Sequence, residues 1–146
     1  MKIFYNNMNG EERAFAKKNI CIVDDDPDIL AMYKLRFTQE GYNVLTAMDG
    51  EAGIILIRSN RPDAILLDIH MPKMDGIRVL DELNRDPDLA HIPVIVLSNN
   101  NSDQMFQKIS DLGTVRYYIV KTLTTPQKVV DIVAEALASE SSRTIE

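Results

Sequence analysis

A chain of 146 residues that is 45% hydrophobic can bury the core of one domain but not comfortably of two. Its 22 acidic against 16 basic residues leave a net charge of -6, the wrong sign for a protein whose direct partner is nucleic acid. No apolar stretch approaches the roughly 20 residues of a membrane span and no signal-peptide centre follows Lys2, so a cytoplasmic protein with no membrane contact is expected.

Residues 1–18 read as a polar leader, apolar only at Ile3, Phe4, Tyr5 and Ala14-Phe15-Ala16, with partial helix expected over Glu11 to Lys17. Met8 is an alternative start. After it, short apolar runs alternate with helical patterns, the rhythm of a parallel sheet covered on both faces. The first strand runs from Ile20 to Asp24 and carries Cys21, a lone cysteine best read as a small buried hydrophobe.

Asp26-Pro27-Asp28 then supplies a cap, a proline at the first helical position and an acidic first turn. The helix extends to about Glu40, stops at Gly41 and puts Leu30, Tyr33 and Phe37 on one face. Asn43 to Ala47 reads as an edge strand because of Asn43 and Thr46, and Gly50 to Arg58 as the second helix. Ala64 to Asp68 is a central strand, followed by a turn at Asp75-Gly76 and a third helix from Gly76 to Arg85. Pro93 to Ser98 is again central. Ser102 caps a fourth helix with an apolar stripe of Met105, Phe106, Ile109 and Leu112 and a stop at Gly113. Arg116 to Val120 forms the fifth strand. The last helix buries Val129, Val133, Ala136 and Leu137; Pro126 favours Thr125 as its cap, a capping box to Gln127 favours Thr124. Residues 140–146 are a polar tail.

In an open parallel sheet, ligands gather at the carboxyl ends of the strands. Those ends carry Asp24 and Asp25, then Asp68, then Ser98, then Tyr118 leading into Lys121. A buried strand-end carboxylate persists only if something stabilises its charge, and several carboxylates on one edge repel unless a cation lies among them. Magnesium suits such a set, taking oxygen ligands and keeping several waters. A carboxylate can also attack phosphorus, provided cations neutralise the group being transferred, and Ser98 and Lys121 are the donors at hand. Asp26 is accounted for by helix capping. The side chain of His70 is not expected to bind a metal that prefers oxygen.

The runs Ile22-Val23-Asp24-Asp25-Asp26-Pro27, Leu66-Leu67-Asp68-Ile69-His70-Met71-Pro72-Lys73-Met74-Asp75-Gly76, Pro93-Val94-Ile95-Val96-Leu97-Ser98 and Tyr117-Tyr118-Ile119-Val120-Lys121 resemble, in order and spacing, the receiver domain of bacterial two-component response regulators. The resemblance covers about residues 19–139 and implies a flavodoxin-like, doubly wound α/β fold, with a five-stranded parallel sheet of order 2-1-3-4-5 and five helices. It implies a stand-alone regulator without an output domain, a switch that catalyses only its own phosphorylation and dephosphorylation. Asp68 would accept a phosphoryl group from the phosphohistidine of a sensor kinase or phosphotransfer protein. By motif position, Asp25 and Asp68 would bind magnesium directly, Asp24 through water and His70 by its backbone carbonyl. Ser98 and Lys121 would hold the phosphoryl group, and Tyr118 would turn with Ser98 to present a changed face to a downstream target protein or to a second copy in a phosphorylation-dependent homodimer.

Two positions depart from the family pattern. Thr122 replaces the usual cis proline, and since a cis bond before a non-proline costs about 3 kcal/mol, a trans bond and a rearranged Lys121 loop are expected. Asn99 replaces a smaller residue beside Ser98, which bears on attack by water. Two rival functions are a phosphatase of the haloacid dehalogenase type, with Asp24 of an Asp-x-Asp pair as nucleophile, and a degenerate receiver that binds partners without phosphorylation.

Overall fold

Five-residue runs with almost no polar side chain bury both faces, which places them in the middle of a parallel sheet. The computed structural model of the protein describes residues 2–6, 12–71, 74–99, 103–112 and 114–145, at 2–6, 12–16, 103–105 and 140–145 by backbone alone. Strands β1 (Lys2–Asn6) and β2 (Glu12–Ala16) come first, followed by β3 (Asn19–Val23), α1 (Pro27–Gln39), β4 (Asn43–Ala47) and α2 (Gly50–Asn60). Next come β5 (Ala64–Asp68), α3 (Gly76–Arg85), β6 (Val94–Ser98), α4 (Asp103–Ser110) and β7 (Val115–Val120). A 3-10 turn (Lys121–Leu123) and α5 (Pro126–Ile145) close the described chain.

Strands β3 to β7 form one sheet in the order β4-β3-β5-β6-β7, which is 2-1-3-4-5 when these five are counted alone. All four pairings are parallel. The expected flavodoxin-like fold with five helices is therefore the observed one. Side chains alternate along each strand, so the sheet has two cores. Cys21, Val23, Ile65, Leu67 and Val96 face Ile54, Ile57, Val79, Leu80 and Ile109 of α2, α3 and α4. Ile20, Ile22, Leu66, Ile95 and Leu97 face Leu30, Tyr33, Phe37, Val129 and Val133 of α1 and α5. Strand β4 is an edge, as its polar positions required, and β5 and β6 are buried throughout.

Local signals set most helix ends. Asp26 Oδ1 accepts from the backbone N–H groups of Asp28 and Ile29, and Gly41 leaves α1 with φ of 97°. Thr125 caps α5, since its hydroxyl accepts from Lys128 N–H at 3.3 Å and Pro126 takes the first helical position. Glu12–Ala16 is strand where partial helix was expected: β2 pairs antiparallel with β1, from Lys2 opposite Ala16 to Asn6 opposite Glu12. A helix of seven residues has too few internal hydrogen bonds to outlast nucleation, whereas pairing supplies them between strands. Helix α2 continues two residues past Arg58, to Asn60. The expected cap Ser102 and stop Gly113 of α4, and the side chain of Met105, lie outside the described residues. Ile109 is buried as the stripe required, but Phe106 is 49% exposed and leans edge-on against Tyr118, ring centroids 5.6 Å apart.

Helix α2 ends on Arg61 with φ of 44°, a left-handed conformation that costs a residue with a Cβ about 1–2 kcal/mol. Its ion pair with Asp88, 3.6 Å between two largely exposed side chains, offsets little of that. Arg61→Gly should therefore raise stability by about 0.5–1 kcal/mol after the extra backbone entropy of glycine. A urea midpoint below that of the parent would show that the side chain matters more than the backbone angle.

Candidate functional site

Register alone brings the chemical residues together. Val23 pairs with Leu67, so Asp24 and Asp68 follow side by side at the ends of neighbouring strands. Asp68 lies opposite Leu97, one residue before Ser98, and Ser98 lies opposite Val120, one residue before Lys121. A carboxylate pair, a hydroxyl and an ammonium thus descend in steps across one rim.

Asp24 and Asp68 are almost fully buried, Ser98 completely so, and Asp25 is exposed. One carboxylate oxygen from each of Asp24, Asp25 and Asp68 lies within 4.8 Å of the other two. Asp24 Oδ1 accepts from Asp26 N–H at 2.9 Å, and Asp68 Oδ1 accepts from His70 N–H at 3.1 Å. Their other oxygens share one cation: Lys121 Nζ lies 3.3 Å from Asp24 Oδ2 and 3.4 Å from Asp68 Oδ2. One ammonium between two buried carboxylates leaves an excess of negative charge. Burial, and next the charge of Asp24, push the Asp68 carboxyl up to about 6, against the pull of the His70 N–H and Lys121. Such a group gains from a further cation, and the oxygen donors around it suit a hard divalent ion. The three acidic side chains named from sequence therefore fit a metal.

Lys121 reaches the site although no cis peptide bond occurs among the described residues: the chain passes through Thr122 in trans and turns as a 3-10 segment. The trans bond expected at Thr122 is observed, and Lys121 Nζ still reaches both carboxylates. Tyr118, on β7, is partly buried with its ring against Phe106, and Asn99 is exposed just past Ser98. Asp26 and Asp75 serve as helix caps, the latter through its Oδ1 to Arg78 N–H at 2.9 Å. Burial pushes the Cys21 thiol up to about 12, which keeps it protonated and inert.

Two neighbours of the site had no signal in the sequence. The His70 ring places Nε2 3.3 Å from Ser98 Oγ. Tyr33, on α1, lies near enough to Asp24 for that charge to raise its phenol further, after burial. It also lines a cavity of about 190 Å³ with Ile29, Met32, Leu97, Lys121 and Pro126. Both depend on loops and helices approaching from elsewhere in the chain, which residue type and spacing do not encode.

An acidic pocket at the carboxyl rim of a 2-1-3-4-5 sheet, with a hydroxyl and a lysine on adjoining strands, defines a receiver-type phosphorelay module. A family model for the response regulator receiver domain matches residues 20–134, and the chain belongs to that family. Among curated relatives, the response regulator PleD of Caulobacter vibrioides is 33% identical over 133 residues, covering 82% of this chain and 29% of that protein. The DNA-binding dual master transcriptional regulator RpaA of Synechocystis is 36% identical over 119 residues, covering 82% of this chain and 47% of that protein. The chain thus spans less than half of either relative. A solved CheY-like response regulator receiver domain protein from Methanospirillum hungatei superposes with a TM-score of 0.81 at 26% identity, covering 88% of this chain and 99% of that one. These likenesses run through the whole sheet and favour neither rival, the Asp24 phosphatase or the degenerate receiver. Among the described residues, no helix is long and apolar enough to cross a membrane.

Proposed function

We propose that the protein works as a phosphoacceptor switch, taking a phosphoryl group onto Asp68 from the phosphohistidine of a sensor kinase or phosphotransfer protein. The observation that carries this reading is the buried Asp68 carboxylate, held by the His70 N–H on one oxygen and by Lys121 on the other. An Asp68 oxygen attacks phosphorus, the phosphorus–nitrogen bond breaks, and the imidazole leaves with the electron pair. Lys121 then turns from two carboxylates to the new phosphoryl charge, and Ser98 donates its hydroxyl hydrogen to a phosphoryl oxygen. Magnesium would be held by Asp25, Asp68 and the His70 carbonyl, with Asp24 acting through water, and would supply neutralisation of the transferring group.

Movement of Ser98 and Tyr118 then alters the surface around α4 and β7, where a downstream protein or a second copy reads the state. The net charge of -6 speaks against direct contact with nucleic acid by this domain. The domain's own chemistry is limited to gain and loss of the phosphoryl group, and its setting is the cytoplasm.

The test is intact mass after incubation with acetyl phosphate. A single phosphoryl adduct should form on the parent with magnesium, vanish with a chelator, and be missing from Asp68→Asn. An undiminished adduct on that variant would refute the assignment. Asn99, exposed next to Ser98, should influence attack by water, so Asn99→Ala is expected to change the adduct's half-life several-fold. Equal decay in mutant and parent would remove Asn99 from the account.

A further inference from the structure

His70 touches the site twice, through different parts of one residue. Its backbone N–H donates to Asp68 Oδ1 at 3.1 Å, and its ring Nε2 lies 3.3 Å from Ser98 Oγ. It thereby ties the loop after β5 to the loop after β6, the two loops that carry the acceptor carboxylate and the hydroxyl. Ser98 is completely buried at the end of β6, whereas His70 is exposed, so the contact links a buried hydroxyl to a residue at the surface. A serine has one hydroxyl hydrogen to donate. That hydrogen cannot serve the imidazole and a phosphoryl oxygen together.

We propose that His70 is a positioning residue of the switch: Ser98 donates its hydroxyl hydrogen to His70 Nε2 in the unphosphorylated protein and transfers that bond to the phosphoryl group. The ring then acts as a clasp on the resting state, adding to what phosphorylation must overcome before the Ser98 loop moves. The inference rests on Asp68 being the phosphoacceptor. A hydrogen bond present only in the resting state shifts the equilibrium toward that state, and its loss shifts it back. For one neutral hydrogen bond the shift is about fivefold.

Two measurements test this. Nitrogen-15 spectra of the metal-free protein should show the His70 ring protonated at Nδ1, with an Nε2 signal that moves in Ser98→Ala. His91, the other histidine of the chain, should not respond. Separately, titration with beryllofluoride and magnesium, a phosphoryl mimic, should bind His70→Ala about fivefold more tightly than the parent. The gain should disappear when Ser98→Ala is present in both proteins, and His70→Gln, whose amide oxygen can accept the same hydrogen, should stay within about twofold of the parent. A ring protonated at Nε2, an Nε2 signal unmoved by Ser98→Ala, or a His70→Ala gain that survives without the Ser98 hydroxyl would overturn the clasp. Failure of the parent to form an adduct with acetyl phosphate would instead overturn the phosphoacceptor reading, and the ring spectrum would still decide the hydrogen bond.

Discussion

Asp68→Asn should abolish the phosphoryl adduct and, in the absence of metal, make the protein more stable at neutral pH. The first effect follows because an amide oxygen is a poor nucleophile and its acyl phosphate cannot form. The second follows from the charge balance at the rim. Burial and Asp24 raise the Asp68 carboxyl from 3.8 to about 6, so the folded protein binds this proton more tightly than the unfolded chain does. Stability falls with rising pH wherever the folded state holds the extra proton. The contribution of Asp68 is therefore most favourable below about pH 4 and is lost as pH climbs through about 6. At 1.36 kcal/mol per pH unit, the loss amounts to about 3 kcal/mol.

Asparagine resembles the protonated side chain and escapes this loss. In urea unfolding with a chelator, the variant should exceed the parent by about 3 kcal/mol at pH 8 and by little at pH 4. A gap of equal size at both values would show that the ionised carboxylate is not the cause. Magnesium should narrow the gap at pH 8 by stabilising the parent alone.

Gly76→Ala should be the most damaging single methyl group in the site. A Cβ at this first residue of α3 would lie 2.7 Å from the Asp68 carbonyl oxygen and 2.7 Å from Ile69 Cα, both backbone atoms, and 2.9 Å from Ile69 Cδ1. Backbone at a strand end cannot step aside as a flexible side chain can. The Gly76 N–H also donates to the Ile69 carbonyl at 3.0 Å, so helix and strand are already drawn together at this point. Relief requires α3 to move away from β5 or the Asp68 peptide to rotate. We expect a loss of about 3 kcal/mol in chemical unfolding, at the upper end of overpacking costs. Phosphorylation by acetyl phosphate should also slow more than tenfold, because displacing the Asp68 backbone moves the nucleophile. A stable variant with an unchanged rate would mean that the close approach is not required.

Much of the site was legible because its signals are local. Apolar runs closed by Asp24, Asp68 and Ser98 placed the three at strand ends, and parallel topology sends strand ends to one rim. The cap Asp26 follows from a side chain that reaches N–H groups within three residues of itself, whereas residue type leaves Thr124 and Thr125 both open for α5 and only the structure selects Thr125. Local pattern points to helix over Glu11 to Lys17, yet Glu12–Ala16 is strand, because strand pairing depends on a partner segment, here Lys2–Asn6, and not on the segment's own pattern. Spacing places Phe106 on the buried stripe of α4, yet it is half exposed, its ring set against Tyr118 of the edge strand.

The amino-acid sequence by itself determined the order of the elements, the sheet's central and edge strands, and which carboxylates, hydroxyl and lysine meet at the rim. These follow from backbone hydrogen bonding and side-chain alternation, which act over a few residues. Only the tertiary structure decided that Lys121 spans Asp24 and Asp68 despite Thr122, that Asp68 carries a raised pKa, and that His70 reaches Ser98. Each of these depends on how far one strand end or loop stands from another, since electrostatic and hydrogen-bond energies change steeply over a few ångströms and residue type carries no measure of that distance.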